Sequence, residues 1–317
     1  MKLIIAFFKL IRWQNLVIIA ITQVLYYYAL IHPIHNFHQS VYDPFTGTYF
    51  ILLVISSLMI AAAGNIINDY FDLNIDEVNK PQKKIIDKHI KRRWAIVFHI
   101  CLSVMGIAIG FYIDYKTSVF WMGLSNMVCA LLLFAYSISL KKKVLVGNVL
   151  ISLLTAWVIL VCFFCYFSSL SCSGCNPAEW ISQKHRFLRI SFLYAGFAFI
   201  ISLIREVVKD MEDMEGDARY GCRTIPLAWG VPASKMFVAV WLAVLIGIIC
   251  IVQFYVLQLG WLWSMLYCLV FIILPLIWLL QKLFKAQTPN DYHLLSSVIK
   301  LVMLTGLLSM LFFKLYS

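Results

Sequence analysis

Charge is scarce in this chain. Only 13% of its 317 residues are Asp, Glu, Lys or Arg, against 62% hydrophobic, and the mean hydropathy is +0.87. A soluble domain carries about 25% charged residues, so the composition argues against a large water-soluble helical protein. A cysteine framework is also missing. Of nine cysteines, Cys101, Cys129, Cys162, Cys165, Cys250 and Cys268 lie inside apolar runs, where thiols act as small hydrophobes. Cys172 and Cys175 form an isolated C-x-x-C in a polar loop, with no second pair nearby to complete a zinc site. A loop disulfide and two ordinary thiols remain as alternatives. The opening MKLIIAFFKLIRW lacks the features of a signal peptide: Lys9 and Arg12 interrupt its apolar run and no small-x-small cleavage site follows. It reads as a short helix lying in the membrane interface.

What is abundant is apolar sequence in long runs. Stretches of spanning length occupy about 14–32, 47–68, 94–114, 118–138, 146–169, 190–206, 234–257, 261–281 and 295–313. In lipid each backbone must satisfy its own hydrogen bonds, so runs this long predict helices and an all-α, polytopic membrane bundle of about nine spans. Aromatics reach 15%, as expected where amphipathic rings sit at headgroup level. With the N-terminus inside, the inner segments hold twenty Lys and Arg. The outer segments hold five, namely Lys116, Lys184, Arg186, Arg189 and Lys314. That asymmetry favours this orientation over its inverse. It also accounts for a net charge of +11 without any nucleic-acid partner.

The acids follow a different rule. Of 15 Asp and Glu, eleven fall between Asp69 and Asp87 or between Glu206 and Asp217, each window starting at the inner end of a span. In the first, Asp69, Asp72 and Asp76 are spaced i, i+3, i+7, while Asn68, Asp72 and Asp76 are spaced i, i+4, i+8. Either set lines one helix face. In the second, Asp210, Asp213 and Asp217 repeat the i, i+3, i+7 spacing, each 141 residues after its counterpart. The chain therefore reads as one domain over 1–317, with two related four-helix units at about 14–138 and 146–281 and a ninth helix appended. Carboxylates about 6 Å apart repel by roughly 3 kcal/mol at an effective dielectric of about 20, which calls for cations between them. One D-x-x-D at a helix end is ordinarily solvated surface; two in matched positions point to a shared task. Asp and Asn oxygens suit magnesium, which completes its shell with water and substrate phosphate. Lys80, Lys83 and Lys84 follow the first motif, and Arg205, Lys209, Arg219 and Arg223 surround the second. Neither window has the spacing of a calcium-binding loop. Ion transport would set acids deep within spans, where almost none lie.

At these residues the sequence resembles the UbiA family of intramembrane prenyltransferases. The family's N-D-x-x-D-x-x-x-D stands as Asn68, Asp69, Asp72 and Asp76. Its K-D-x-x-D-x-E-G-D stands as Lys209, Asp210, Asp213, Glu215, Gly216 and Asp217. Gly221, Thr224 and Pro226 match the G-x-x-T-x-P that follows. Tyr136, Ser137, Leu140 and Lys141 match a Y-S-x-x-L-K stretch, with Gly147 and Asn148 just beyond. Two departures stand out. The usual N-R-P-x-R-P-I is here Asn79, Lys80, Pro81, Gln82, Lys83, Lys84, Ile85, which keeps charge but loses guanidinium geometry. The N-terminal R-P-x-N appears as Arg12, Trp13, Gln14, Asn15.

The resemblance implies nine helices and Mg2+-dependent transfer of a prenyl group from a prenyl diphosphate to a lipophilic acceptor. Asn68, Asp72, Asp210 and Asp213 would hold the metal, with Asp69, Asp76 and Asp217 beside or behind them. Asp72, Asp213 and Tyr136 would be the catalytic set. Lys80, Lys83, Lys209, Arg223 and Lys141 would meet the diphosphate, and Arg12 and Asn15 the substrate. Within the family, passage of a geranylgeranyl group to geranylgeranylglyceryl phosphate is favoured, because the chain has basic residues beyond those a diphosphate needs. Prenylation of an aromatic acid for quinone synthesis and farnesylation of haem are the rivals. A non-catalytic, metal-binding transporter or scaffold is the reading from another class. The site is expected at the cytoplasmic face of a bacterial or archaeal cell membrane.

Overall fold

The computed structural model describes residues 2–31, 41–42, 47–79, 85–117, 119–169, 171–172 and 177–316. Among them the only ladder is two residues long, Val41–Tyr42 antiparallel to Ser171–Cys172. All other extended elements are helical. They are α1 (Lys2–Leu10), α2 (Trp13–Ile31), α3 (Thr48–Phe71), α4 (Leu73–Asn79), α5 (Arg92–Thr117), α6 (Met122–Ile138) and α7 (Val146–Ser169). There follow α8 (Pro177–Glu212), α9 (Met214–Arg219), α10 (Ile225–Trp229), α11 (Val231–Gln258), α12 (Leu262–Lys285), α13 (Pro289–Leu308) and α14 (Leu311–Tyr316). The side chain of Cys172, and Cys175 altogether, lie outside the described residues.

Eight helices among the described residues are long and apolar enough to cross a membrane: α2, α3, α5, α7, α8, α11, α12, and α13 running on into α14. The ninth expected span is α6, 17 residues long, at the short end of what reaches across the hydrocarbon. Its two ends are anchored on different helices. Asp114, in the last turn of α5, accepts the backbone N–H of Met122 at 2.9 Å and of Gly123 at 2.8 Å, capping the start of α6. Past the other end of α6, Lys141 reaches Asp72 at the end of α3. The protein is an integral membrane protein with an all-α polytopic bundle.

The chain forms two compact units. One comprises Met1–Val24, His35–Lys141 and Val158–Ser191; the other comprises Leu25–Ile34, Lys142–Trp157 and Phe192–Ser317. Lipid is as apolar as leucine, so packing within each unit depends on close approach and on hydrogen bonds rather than on escape from water. In the first unit, α5 approaches α6 so closely at Gly110 that an added Cβ would sit 2.9 Å from the Gly123 Cα. Asn126 on α6 donates to Ser56 Oγ (3.1 Å) and to the Gly106 carbonyl (3.0 Å) in the same buried layer. The amphipathic α1 leaves Leu3, Ile4 and Phe8 exposed and buries Ala6 and Leu10 against Ala62, Ile66 and Ile86. In the second unit α8, α11, α12 and α13 share a core that includes Ile201, Ile204, Leu242, Leu276 and Ile299. There α8 and α13 run antiparallel. Tyr194 bonds Ser309 (2.9 Å) near one end, and Glu212 accepts from His293 Nδ1 (3.0 Å) at the other.

Candidate active site

The first motif closes α3. Asn68 and Asp69 occupy its last turn, Asp72 interrupts the helix at φ −89°, ψ 0°, and α4 resumes with Asp76. The bonds Asp72 N–H to Asn68 O (2.9 Å) and Asp76 N–H to Asp72 O (2.8 Å) carry the helical spacing across the break. The i, i+4, i+8 row read from the sequence is therefore kept. Asn68 Nδ2 donates to Asp72 Oδ2 at 2.8 Å. The Lys141 ammonium bonds Asp72 Oδ1 and lies 3.3 Å from Asn68 Oδ1.

Asp69 accepts from Arg12 Nη2 at 2.6 Å. Arg12 stands in the tight turn between α1 and α2 at φ +52°, a left-handed conformation unfavourable for a side-chain-bearing residue by about 1–2 kcal/mol. Asn65, one turn back on α3, donates to the Ile11 carbonyl (2.9 Å) and pins that turn. Strain held in place by surrounding bonds is characteristic of functional positions. The Asp69 charge, with Asp76 and Asp72 behind it, holds the Arg12 guanidinium above its ordinary pKa against the opposing effect of burial.

The second motif repeats the pattern at the end of α8. Asp210 occupies the last turn, Asp213 interrupts the helix at φ −98°, ψ 10°, and α9 resumes with Asp217. Again the helical bonds continue, Asp213 N–H to Lys209 O (2.9 Å) and Asp217 N–H to Asp213 O (3.2 Å). Both motifs thus break at their second aspartate. Asp210 Oδ2 accepts from Asn148 Nδ2 at 2.8 Å, and Asn148 is buried in the first turn of α7. Lys209 Nζ lies 3.6 Å from Glu206. Arg223 has an exposed side chain, while its N–H bonds the Lys142 carbonyl at 2.9 Å.

Several expected site residues are brought together: Arg12 with Asp69, and Lys141 with Asn68 and Asp72. Tyr136 is half-buried in the last turn of α6, one helical turn before Lys141, and Asn15 is half-buried in the first turn of α2. Lys80 and Lys83 lie outside the described residues. In the sequence Asn148 is visible only as part of a motif match, with no role attached. The signal is nonetheless there: an amide in the first turn of an apolar helix needs a partner.

No three His, Cys, Asp or Glu side chains among the described residues converge closely enough to hold an ion by themselves. That suits a hard cation taking one or two carboxylates and the rest of its shell from water and phosphate. A stand-in marks the place in the first motif, where the Lys141 ammonium sits at the convergence of Asn68 Oδ1 and Asp72 Oδ1.

Comparison with known proteins gives one consistent picture. The UbiA prenyltransferase family matches residues 37–311. The digeranylgeranylglyceryl phosphate synthase of Methanosphaera stadtmanae is 28% identical over 83% of this chain and 88% of its own length. Among solved structures, a digeranylgeranylglyceryl phosphate synthase superposes with a TM-score of 0.59 at 23% identity, covering 98% of this chain and 99% of that one. A UbiA homolog from Archaeoglobus fulgidus bound to GPP and Mg2+ has a TM-score of 0.53 at 14% identity, over 96% of this chain and 99% of that one.

Proposed function

Because the chain belongs to the UbiA prenyltransferase family, we propose that it transfers a geranylgeranyl group from geranylgeranyl diphosphate to geranylgeranylglyceryl phosphate, in a Mg2+-dependent reaction within the membrane. The observation that carries prenyl transfer is the Lys141 cation held between Asn68 and Asp72, in a motif matched by a second of the same build. The acceptor rests on the relative named for that product. The Archaeoglobus homolog, holding GPP with Mg2+, supports the donor class and the metal.

In the reaction the allylic C–O bond breaks with its electron pair leaving on diphosphate. The acceptor hydroxyl oxygen bonds the prenyl carbon and gives up its proton to the departing diphosphate. Magnesium, when bound, supplies Lewis-acid neutralisation of the diphosphate oxygens. Asn68 and Asp72 from the first motif, and Asp210 and Asp213 from the second, are the residues that would hold it. Asp69, Asp76 and Asp217 set the surrounding negative charge. Lys141 and Arg12, engaged with Asp72 and Asp69, are the cations beside the first motif that would meet diphosphate oxygens. Lys209, Arg223, Lys80 and Lys83 add positive charge for the leaving group. Tyr136 orients the diphosphate or faces the developing allylic cation, and Asn15 borders the acceptor. The apolar bundle excludes water from that cation. Both motifs face the cytoplasm in this reading, where the inner segments carry most of the Lys and Arg.

An acceptor screen tests the proposal directly. Membranes containing the protein are given labelled geranylgeranyl diphosphate and one acceptor at a time. Product with geranylgeranylglyceryl phosphate should exceed that with 4-hydroxybenzoate or dihydroxynaphthoate. Robust product from an aromatic acid, and none from the glyceryl lipid, would overturn the acceptor and leave prenyl transfer standing.

A further inference from the structure

Phenylalanine is concentrated in the last two turns of α7, where Phe163, Phe164 and Phe167 precede Ser168. The rings pack on one another, with Phe163 and Phe167 at 4.7 Å between centroids, and Phe167 lies 6.1 Å from Phe187 on α8. Beside them is a cavity of about 250 Å3. Its α7 wall is the three rings and Ser168, and its α8 wall is Lys184, His185 and Leu188. Phe163 and Phe167 are buried, whereas Lys184 and His185 are exposed, so the cavity has an aromatic floor and a cationic rim.

Trp121, just before α6, sets its level. The indole N–H donates to Ser168 Oγ at 3.3 Å, and a tryptophan with its polar edge so engaged suits the headgroup region. Lys141, which bonds Asp72, lies beyond the other end of α6, and the 17 residues of that helix span about 26 Å. The cavity is therefore separate from the first motif. Charge around it runs against the orientation rule. Three of the five Lys and Arg in the outer segments, Lys184, Arg186 and Arg189, fall within six residues, with His185 among them. Between Pro177 and Ser191 the sequence offers one acid, Glu179. None of the three basic residues forms an ion pair among the described residues. Asp114, buried at the end of α5, spends its two oxygens on the N–H groups of Met122 and Gly123.

We propose that this cavity binds an anionic phospholipid of the leaflet opposite the first motif. The lipid phosphate sits at Lys184 and His185, and the start of one chain lies against the three phenylalanines and Leu188. Ser168 accepts from Trp121, which leaves its own O–H free to donate to a phosphate oxygen. Arg186 and Arg189 add positive potential at the same level. Sites that engulf a whole ligand run to about 300–1,000 Å3, so a smaller cavity suits a molecule whose remaining bulk stays in the bilayer. Basic pockets between membrane helices hold lipid headgroups in this way, by direct charge-assisted hydrogen bonds.

Lipid retention counted by native mass spectrometry tests the site. The full chain in neutral detergent is titrated with phosphatidylglycerol, with phosphatidylcholine of the same chains, and with glycerol 3-phosphate. Wild type should hold phosphatidylglycerol about tenfold more tightly than phosphatidylcholine. The double variant Lys184→Gln/His185→Gln should lose most of that preference. Lys282→Gln/Lys285→Gln, which removes two charges at the end of α12, should keep it. Leu188→Trp fills the cavity while sparing its cations, and should also lose the lipid. A thermal midpoint near that of wild type shows that each variant is folded, and the exposed Lys184 and His185 can be changed without touching the core. Equal retention of the two lipids by wild type would overturn the site, as would an equal loss in the α12 variant, which would reduce it to general surface charge. Binding of glycerol 3-phosphate as tight as that of the lipid would make it an anion site without a lipid. An unchanged preference in Leu188→Trp would put the headgroup on the rim and leave the cavity out.

Discussion

Asn68 reaches Asp72 from four residues back on its own helix, whereas Asp210 receives its amide from Asn148 on another. By the 141-residue offset Lys209 stands where Asn68 does and Asp210 where Asp69 does, so the second motif lacks the amide of the first, and Asn148 meets the aspartate that answers to Asp69. With its NH2 committed to Asp210, Asn148 has its carbonyl oxygen left to offer a cation or its water. Asn148→Ala is therefore expected to raise the magnesium needed for half-maximal activity by about 10- to 100-fold, the usual effect of losing a group that orients a ligand. Asn148→Asp, which keeps an oxygen but adds a like charge beside Asp210, should not restore it. A magnesium titration of both variants checks this. Asp72→Ala and Asp213→Ala should cost more, at least about a hundredfold in turnover per inserted protein. Near wild-type transfer by either variant would remove the metal from these motifs. The aspartates were legible because spacing alone puts them on one face. The Arg12–Asp69 pair was not, since it needs a left-handed arginine in a turn whose sequence, Ile11-Arg12-Trp13, carries no turn residue.

At the scale of elements, hydropathy located the spans but misjudged α8. The run expected at 190–206 is part of a helix from Pro177 to Glu212. Gln183, Lys184, His185, Arg186 and Arg189 hide its first half from an apolarity scan, yet helical backbone bonds do not depend on side-chain polarity. The second motif consequently begins inside the last turn of a long helix rather than beyond it. Close approach between helices was equally hidden, because it depends on which glycines face each other. Gly110 illustrates the point. A methyl group there would press on the Gly123 backbone and on Asn126 Nδ2, and backbone cannot swing aside. Gly110→Ala should destabilise the protein by about 1–3 kcal/mol, seen as a lower thermal midpoint in detergent. The magnesium requirement of whatever stays folded should not change, since the contact lies at the Asp114 end of α5, away from Asp72. A midpoint equal to wild type would mean that α5 and α6 are not packed this closely.

For the whole molecule the deciding element is α6, the shortest of the apolar helices proposed to span. If it crosses, there are nine spans, and an N-terminus inside puts the C-terminus outside. If it does not, there are eight, and both termini share a face. The Lys141 bond to Asp72 argues that it crosses, because α6 has to bring Lys141 back to the end of α3, while Asp114 anchors its start at the end of α5. The distribution of Lys and Arg argues the same way independently. Counting α6 as a span puts Lys141, Lys142 and Lys143 inside, with Lys91, Arg92 and Arg93, and omitting it would reverse every loop after α5. Cysteine labelling on a cysteine-free background separates the two arrangements. A cysteine in place of Gln82, in the segment after the first motif, should react only from the cytoplasmic side, and one added after Ser317 only from the outer side. Labelling of both from one side would leave α6 buried without crossing and reduce the spans to eight. Labelling of Gln82→Cys only from outside would invert the molecule and with it the proposed cytoplasmic placement of the first motif.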